Sequence, residues 1–109
     1  MEEDTRIGLK VITLSEELEV KIRNNIIKNN NGTSLELSTH DTLKLMDKLE
    51  QSEDFLSSIG LKGVPIICRP DIRLYFRRFI EKKYPRTQVI SYVEVPPNYK
   101  IDVIGTIEI

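Results

Sequence analysis

The sequence is poor in the residues that build metal sites, disulfides and phosphate-binding loops. It contains a single cysteine, a single histidine and no tryptophan in 109 residues. One cysteine cannot form an intramolecular disulfide, which is typical of a protein from a reducing compartment rather than a secreted one. Structural zinc sites need several cysteine and histidine ligands, and no glycine-rich loop follows a predicted strand. We therefore expect no metal and no cofactor.

Long apolar runs and an excess of charge of one sign are also absent. The apolar stretches last a few residues, far below the roughly 20 that a membrane-spanning helix needs. The acidic start of the chain, residues 1–4, does not resemble a signal peptide. Sixteen Lys and Arg against seventeen Asp and Glu give a formal net charge of −1, which provides no general attraction to nucleic acid or anionic lipid. We expect one domain over 1–109, without direct membrane contact.

The first third of the chain predicts a strand followed by a helix. Residues 8–13 are apolar and β-branched, as in a strand. Ser15 then has the character of an N-cap, with acids in the first turn behind it. Asn29-Asn30-Asn31-Gly32 predicts the end of the helix and a turn. The helix itself is indicated by an apolar stripe with a spacing of four, formed by Leu18, Ile22 and Ile26, with Ile27 beside it.

The middle of the chain predicts an edge strand, a long helix and a central strand. Residues 34–37 alternate between polar and apolar side chains, as in an edge strand. Ser38 and Thr39 then have the character of N-caps for a helix that ends near residue 58, before Gly60. Residues 64–68 form a compact apolar run, with Pro65 near its start, where a missing amide hydrogen is tolerated.

The last third predicts a third helix and two strands. Pro70 or Asp71 opens the helix and Pro85 ends it. Residues 88–95 and 100–109 are predicted strands separated by a proline-containing turn. The resulting order, β-α-β-α-β-α-β-β, predicts an α/β fold with a single mixed sheet of about five strands and about three helices packed on it. The apolar face of the third helix is formed by Ile72, Tyr75, Phe76, Phe79 and Ile80.

Cys68 is the candidate nucleophile of the chain. It lies between a strand and a helix, where reactive groups of α/β folds often lie. Four residues separate it from Arg73, whereas a phosphatase loop has five between its cysteine and arginine and a glycine-rich set of amides. Pro70, within this segment, has no amide hydrogen. We favour a buried apolar thiol and assign no catalytic residue. The alternative is a small thiol or phosphatase-like enzyme that uses Cys68.

The third predicted helix carries the main cluster of positive charge. This face is either an ordinary solvated surface or a surface for an acidic partner, and Arg73 is also able to pair with an acid elsewhere in the domain. A nucleic-acid-binding module that uses this helix is a further alternative, which the balanced net charge disfavours. The candidate partner-binding residues are Arg73, Arg77, Arg78 and Lys82.

Two motifs in the C-terminal half resemble a known family. Residues 68–81 read Cys-Arg-Pro-Asp-Ile-Arg-Leu-Tyr-Phe-Arg-Arg-Phe-Ile-Glu, and after Pro85 residues 89–95 read Val-Ile-Ser-Tyr-Val-Glu-Val. Together they resemble the C-terminal end of the FlhA/InvA/LcrD (FHIPEP) family of flagellar and virulence type III secretion export-gate proteins. The resemblance extends over about residues 9–105. Ile90 and Val95 stand where the family often has Leu and Ile, and they leave the flagellar and virulence branches undecided.

The resemblance implies a role in protein export. The chain would be the last cytoplasmic subdomain of a membrane-anchored protein at the cytoplasmic face of the bacterial inner membrane. Family members form a nine-membered ring, so self-association is implied for the full-length protein. The implied partners are other export-apparatus subunits and chaperone–substrate complexes, and no nucleic acid. The family's role needs no catalytic residue, which implies a docking and ring-scaffold module rather than an enzyme.

Overall fold

A computed structural model of the protein describes residues 4–109. Within this range, none of the helices combines the length and the apolar character that crossing a bilayer requires. A short 3-10 turn, Tyr92–Glu94, follows the fifth strand. The helices and strands are, in chain order, β1 (Ile7–Leu14), α1 (Glu16–Asn24), β2 (Ile26–Asn29), β3 (Gly32–Leu35), α2 (Thr39–Ser58), β4 (Ile66–Cys68), α3 (Pro70–Ile80), β5 (Val89–Ser91) and β6 (Tyr99–Ile107).

The α/β class and the three helices are confirmed, and the strands divide into two sheets. Four strands form a parallel sheet in the order β5-β4-β1-β6. The remaining two, β2 and β3, form a separate antiparallel hairpin. The single mixed sheet expected from the sequence is therefore a parallel sheet and a hairpin. Since β3 pairs with β2, the segment expected as an edge strand of the main sheet lies outside that sheet.

The first helix is shorter than its apolar stripe predicts. It ends at Asn24, and Asn25 closes it with a hydrogen bond from its side-chain amide to the carbonyl of Lys21 at 2.7 Å. Ile26 instead begins β2 and lies opposite Leu35 of β3. The turn predicted at Asn29-Asn30-Asn31-Gly32 is confirmed as the turn of this hairpin, whereas the helix predicted to end there ends five residues earlier, at Asn24. The apolar spacing of four continues from Ile22 to Ile26, past the end of α1. The adjacent β-branched residues Ile26 and Ile27 nevertheless favour a strand, because β3 follows and pairs with them.

The fifth strand is also shorter than predicted. It covers Val89–Ser91, and the chain then turns through the 3-10 segment. The cause is a capping box, in which the backbone N–H and the hydroxyl of Ser91 both donate to Glu94 Oε1, at 3.1 and 3.0 Å. These bonds replace the ladder bonds that would extend the strand.

One hydrophobic core lies between the parallel sheet and the helices. The buried core residues of β1 and of β4 are two positions apart along each strand, as expected for one face of a sheet. Since residues of all three helices belong to the same core, the helices pack on this face. Its fully or nearly fully buried members include Ile12, Leu14, Ile66, Cys68, Val89 and Ile107 from the strands and Leu18, Ile22, Leu45, Leu49, Ile72, Phe76 and Ile80 from the helices.

The centre of the opposite face of the parallel sheet is buried as well. Val11 of β1 and Ile67 of β4 are both 0% exposed, and both lie outside the helix-side core. Because β5 and β6 are opposite edges of a parallel sheet, residues 92–98 must cross the sheet to join them. This crossing has room only on the face that the helices leave open. The helices thus lie on one face of the sheet and residues 92–98 cross the other, and a parallel sheet needs cover on both faces.

Truncating the buried face of α3 tests this packing. Phe76 is 0% exposed, so we expect Phe76→Ala to lower the free energy of unfolding by about 3–5 kcal/mol, through lost burial and a residual cavity. The measurement is urea denaturation followed by circular dichroism. The control is Leu74→Ala on the same helix, where 40% of the side chain is exposed and the expected loss is below about 1 kcal/mol. Equal losses at the two positions would contradict the packing described here.

Candidate partner-binding surface

The basic residues of α3 follow from the way this helix is built. Pro70 stands at its first position, where no amide hydrogen is needed, and Asp71 lies in the first turn. Ile72, Phe76 and Ile80 face the core, which turns the intervening positions toward solvent. The four candidate residues do not form one cluster: Arg73 and Arg77 lie on one side of the helix, whereas Arg78 lies on another side and Lys82 lies in the turn after the helix. The structure divides them into three groups.

Arg73 is bound within the domain. Its Nη1 donates to the carbonyl oxygen of Val89 at 3.1 Å, and its Nε lies 3.1 Å from Glu94 Oε1. The guanidinium therefore joins α3 to β5 and to the 3-10 turn that begins the crossing segment. The expectation that Arg73 pairs with an acid elsewhere in the domain is confirmed. Glu94 was missed as that acid, although the Ser91-Tyr-Val-Glu94 spacing is the signature of a capping box.

Arg77 forms a local pair. Its Nη1 lies 3.4 Å from Glu81 Oε2, one helical turn further along the chain. Both side chains are more than 40% exposed. Exposed pairs of this kind contribute little to stability and exchange readily with water or a partner.

Arg78 and Lys82 line a groove between α2, α3 and the end of β3, which we call the α2–α3 groove. Its volume is about 450 Å³. Three residues that were not among the candidates also line the groove, namely Lys83, Tyr75 and Phe79. The two aromatic residues were assigned to the core by their spacing, yet both are only half-buried. The groove is lined by Ser34, Leu35, Thr42, Met46, Tyr75, Arg78, Phe79, Lys82 and Lys83.

Cys68 lies where a nucleophile of an α/β fold would lie, but its surroundings disfavour a thiolate. Its side chain is 0% exposed. Burial, and secondarily the negative charge of Glu19, raise the pKa of the Cys68 thiol to about 12. The amide of Arg69, which a phosphatase loop would offer to an anion, donates to Glu19 Oε2 at 2.9 Å. A carboxylate of the protein thus occupies the loop.

A second cavity, of about 430 Å³, opens between α2 and the amino ends of β4 and β5. Much of its lining is aliphatic, including Leu49 and Leu56. The Tyr84 hydroxyl at its wall donates to the carbonyl of Met46 at 3.3 Å, and burial raises the pKa of Tyr84. Across residues 4–109, no group of three His, Cys, Asp or Glu side chains is arranged to hold a metal ion.

The fold and its surfaces define a small α/β module with a core-bound thiol and an exposed basic and aromatic groove. Comparison with known proteins gives the family. The FHIPEP family matches residues 2–100, and the chain belongs to it. Among curated relatives, it is 26% identical over 101 residues to the flagellar biosynthesis protein FlhA of Bacillus subtilis and 32% identical over 99 residues to the low calcium response locus protein D of Yersinia pestis.

These matches cover nearly all of this chain and a small part of the relatives. They include 93% and 91% of the chain, but 15% of the flagellar protein and 14% of the Yersinia protein. The chain therefore spans about one-seventh of the length of these relatives. Both flagellar and virulence proteins are among them, so the comparison places the chain in the family and not in one branch.

Solved structures of similar proteins have the same fold. The Shigella flexneri MxiA protein matches with a TM-score of 0.78 and 29% identity, over 92% of this chain and 32% of that chain. A nonameric EPEC SctV-C matches with a TM-score of 0.68 and 29% identity, over 93% and 29%. The complex of Chlamydia pneumoniae CdsV and CdsO matches with a TM-score of 0.74 and 26% identity, over 91% and 29%.

The burial of Cys68 predicts an unreactive thiol. We expect Ellman's reagent to modify the native protein at pH 8 on the order of 100-fold more slowly than the protein in denaturant, because the native thiol is inaccessible and protonated. The pKa of the Cys68 thiol in the folded protein lies above the ordinary 9.0. The contribution of the buried, protonated thiol to the free energy of unfolding is therefore complete below pH 9 and is lost as pH rises toward 12. Cys68→Ala should lack this loss. A native thiol that reacts as fast as the unfolded one would contradict the assignment.

The division of the arginines predicts unequal effects on stability. Replacing Arg73 with Ala removes a charge-assisted hydrogen bond and a partly buried ion pair, so we expect a loss of about 1–2 kcal/mol in the free energy of unfolding. Arg77→Ala removes one exposed pair and should cost less than about 0.5 kcal/mol. Urea denaturation of both variants checks the difference. If Arg77→Ala destabilises as much as Arg73→Ala, the anchoring role of Arg73 is wrong.

Proposed function

We propose that the chain is a non-catalytic docking and ring-scaffold subdomain of a bacterial type III protein export gate. The observation that carries this proposal is the family match over residues 2–100, together with a fold similar to that of the solved family members. The proposal covers export gates of flagellar and of virulence systems, because relatives of both kinds match. The shared hydrophobic core of the described residues 4–109 supports the proposal of one subdomain over 1–109.

The ring part of the proposal rests on the solved assemblies. A matching protein, SctV-C, forms a nonamer, and a cytosolic domain of EscV does so as well. By analogy, this chain occupies one position in such a ring when it is joined to the rest of its gate protein. We place it at the cytoplasmic face of the inner membrane, where it would help to receive chaperone–substrate complexes.

The docking part is supported by a solved complex and by the chemistry of the surface. CdsV, which this chain resembles, has been solved together with CdsO. In this chain, Arg78 and Lys82 stand exposed beside half-buried aromatic residues, a combination suited to protein contacts. Exposed charges favour fast, selective and reversible association over tight binding. An export gate that handles successive cargoes needs contacts of this kind.

The non-catalytic part is supported by the state of Cys68. The thiol is protonated at neutral pH, and the adjacent amide is already bound by Glu19. These features disfavour the alternative of a thiol or phosphatase-like enzyme. The balanced net charge of −1 disfavours the alternative of a nucleic-acid-binding module.

A secretion assay in the bacterium that carries the gene tests the proposal. We expect the double charge reversal Arg78→Glu/Lys82→Glu in the full-length protein to reduce the secretion of type III substrates strongly, while the level of the gate protein stays constant. Cys68→Ala should secrete normally, since the thiol has no chemical role. Secreted substrates are measured in the culture medium by immunoblotting, and the gate protein in the cell membranes.

The matched control is Lys44→Glu/Lys48→Glu on α2, which makes the same change in charge at exposed positions outside the α2–α3 groove. It should leave secretion intact. Loss of secretion in Cys68→Ala, with normal folding, would support the thiol enzyme instead. Normal secretion after deletion of residues 1–109 would overturn the proposal as a whole.

A further inference from the structure

The α2–α3 groove has an apolar floor that the domain leaves partly uncovered. Tyr75 and Phe79 lie one turn apart on α3, and Met46 faces them from α2. All three pack against the hydrophobic core without being fully buried. Side chains of this kind already have fixed positions, so a partner that covers them gains apolar burial with little loss of side-chain entropy.

One wall of the groove is positively charged and has no internal counter-charge. Arg78 lies in the last turn of α3, and Lys82 and Lys83 lie in the turn that follows the helix. No ion pair joins any of the three to an acid within the part of the chain that the structure describes, whereas Arg69, Arg73 and Arg77 each have a carboxylate partner. The net charge of the chain is −1, so this wall is a local excess of positive charge rather than a general property of the surface.

The α2 wall of the groove carries no acid. Thr42 and Met46 of α2 line the groove, and the acids Asp47, Glu50 and Glu53 follow them in the next turns of the helix. The negative charge of these acids adds to the effect of burial in raising the pKa of Tyr84, and both Tyr84 and Glu53 line the other cavity. A partner that carries carboxylates therefore meets, among the described residues that line the groove, positive charge alone.

The length of the groove sets the length of the contact. From Tyr75 to Ile80, where α3 ends, the helix advances about 8 Å, at about 1.5 Å per residue. The turn that carries Lys82 and Lys83 lengthens the groove beyond the end of α3, to about the length of two turns of a partner helix. Two such turns present apolar side chains at i, i+3 or i+4 and i+7 on one face. The strand β3 contributes only its last two residues, Ser34 and Leu35, to the lining, which is too short a stretch for a partner strand to pair along. The groove between the two helices therefore accepts an amphipathic helix more readily than a strand.

We propose that the α2–α3 groove binds an acidic amphipathic helix of a partner protein. The apolar face of that helix covers Tyr75, Phe79 and Met46, and its carboxylates, placed along one flank, pair with Arg78, Lys82 and Lys83. This inference rests on the proposed docking function and adds the class of partner and the residues that select it. With a small contact area and exposed ion pairs, the complex is a weak and reversible one.

A designed probe tests this inference in vitro. The probe is a fluorescein-labelled, lactam-stapled helical peptide of about 18 residues, or five turns, with Leu at i, i+4, i+7 and i+11 and Glu along one flank. Its binding to the 109-residue protein is followed by fluorescence anisotropy at low and at physiological salt. Two control peptides have Lys in place of Glu, or the same composition in scrambled order. Chemical-shift perturbation by NMR then locates the contact.

The protein variants separate the groove from general charge effects. We expect Arg78→Glu/Lys82→Glu to weaken binding by at least about tenfold, and the matched reversal Lys44→Glu/Lys48→Glu to change it by less than about twofold. Tyr75→Ser, checked for folding by circular dichroism, should also weaken binding. The perturbed amides should lie along residues 75–83 and 42–46, and higher salt should weaken the complex.

Several results would overturn the inference. These are the absence of binding at millimolar protein and low salt, equal binding of the Lys peptide, insensitivity to Arg78→Glu/Lys82→Glu, or tighter binding of a short DNA or RNA duplex than of the Glu peptide. Self-association through the groove, detected by sedimentation, would point to a second copy as the occupant. Any of these results together with the expected secretion phenotypes would reject the helical partner and leave the proposed docking function standing.

Discussion

The packing of α3 against the parallel sheet is the interaction on which the rest of the structure depends. Ile72, Phe76 and Ile80 are fully buried and fill the core beside β4 and β5. A parallel sheet is stable only when both faces are covered. The helices cover one face, and the chain between β5 and β6 must therefore cross the other. Arg73 links the helix layer to the segment that crosses the other face. It extends from α3 to the carbonyl of Val89 in β5 and to Glu94 at the start of the crossing.

This constraint also determines which part of α3 is available to a partner. The buried stripe and Arg73 commit two sides of the helix to the domain. Arg78 and Lys82 remain on the side that faces the α2–α3 groove, where no carboxylate of the described residues pairs with them. Cations of the same helix thus have different roles. Their roles depend on whether an acid lies within reach, and that is a property of the tertiary structure rather than of the residue type.

The usual functional position of an α/β fold is occupied by the protein itself. At the carboxyl end of β4, Glu19 of α1 accepts the amide of Arg69, and the adjacent thiol of Cys68 is buried and protonated. A ligand that needs free amides or a thiolate finds neither there. The exposed basic and aromatic groove lies instead on the outer side of the helices, between α2 and α3.

Local patterns were sufficient for much of the fold. The N-caps Ser15 and Ser38, the long α2, the Pro-Asp start of α3 and the α/β class all follow from short-range spacing and capping chemistry, and the two C-terminal motifs identified the family. These features are readable because each depends on neighbours within about one turn of the chain.

Pairing between residues distant in the chain was decided only by the tertiary structure. Ile26 fits the helical stripe of α1, yet Leu35 across the hairpin makes it a strand residue. The early end of β5 and the separation of Arg73 from Arg78 both depend on Glu94 and on the packing of α3. The sequence by itself determined that α3 has an apolar and a basic face. The fold decided which basic residues hold the domain together and which face a groove, because that depends on acids and walls contributed from elsewhere in the chain.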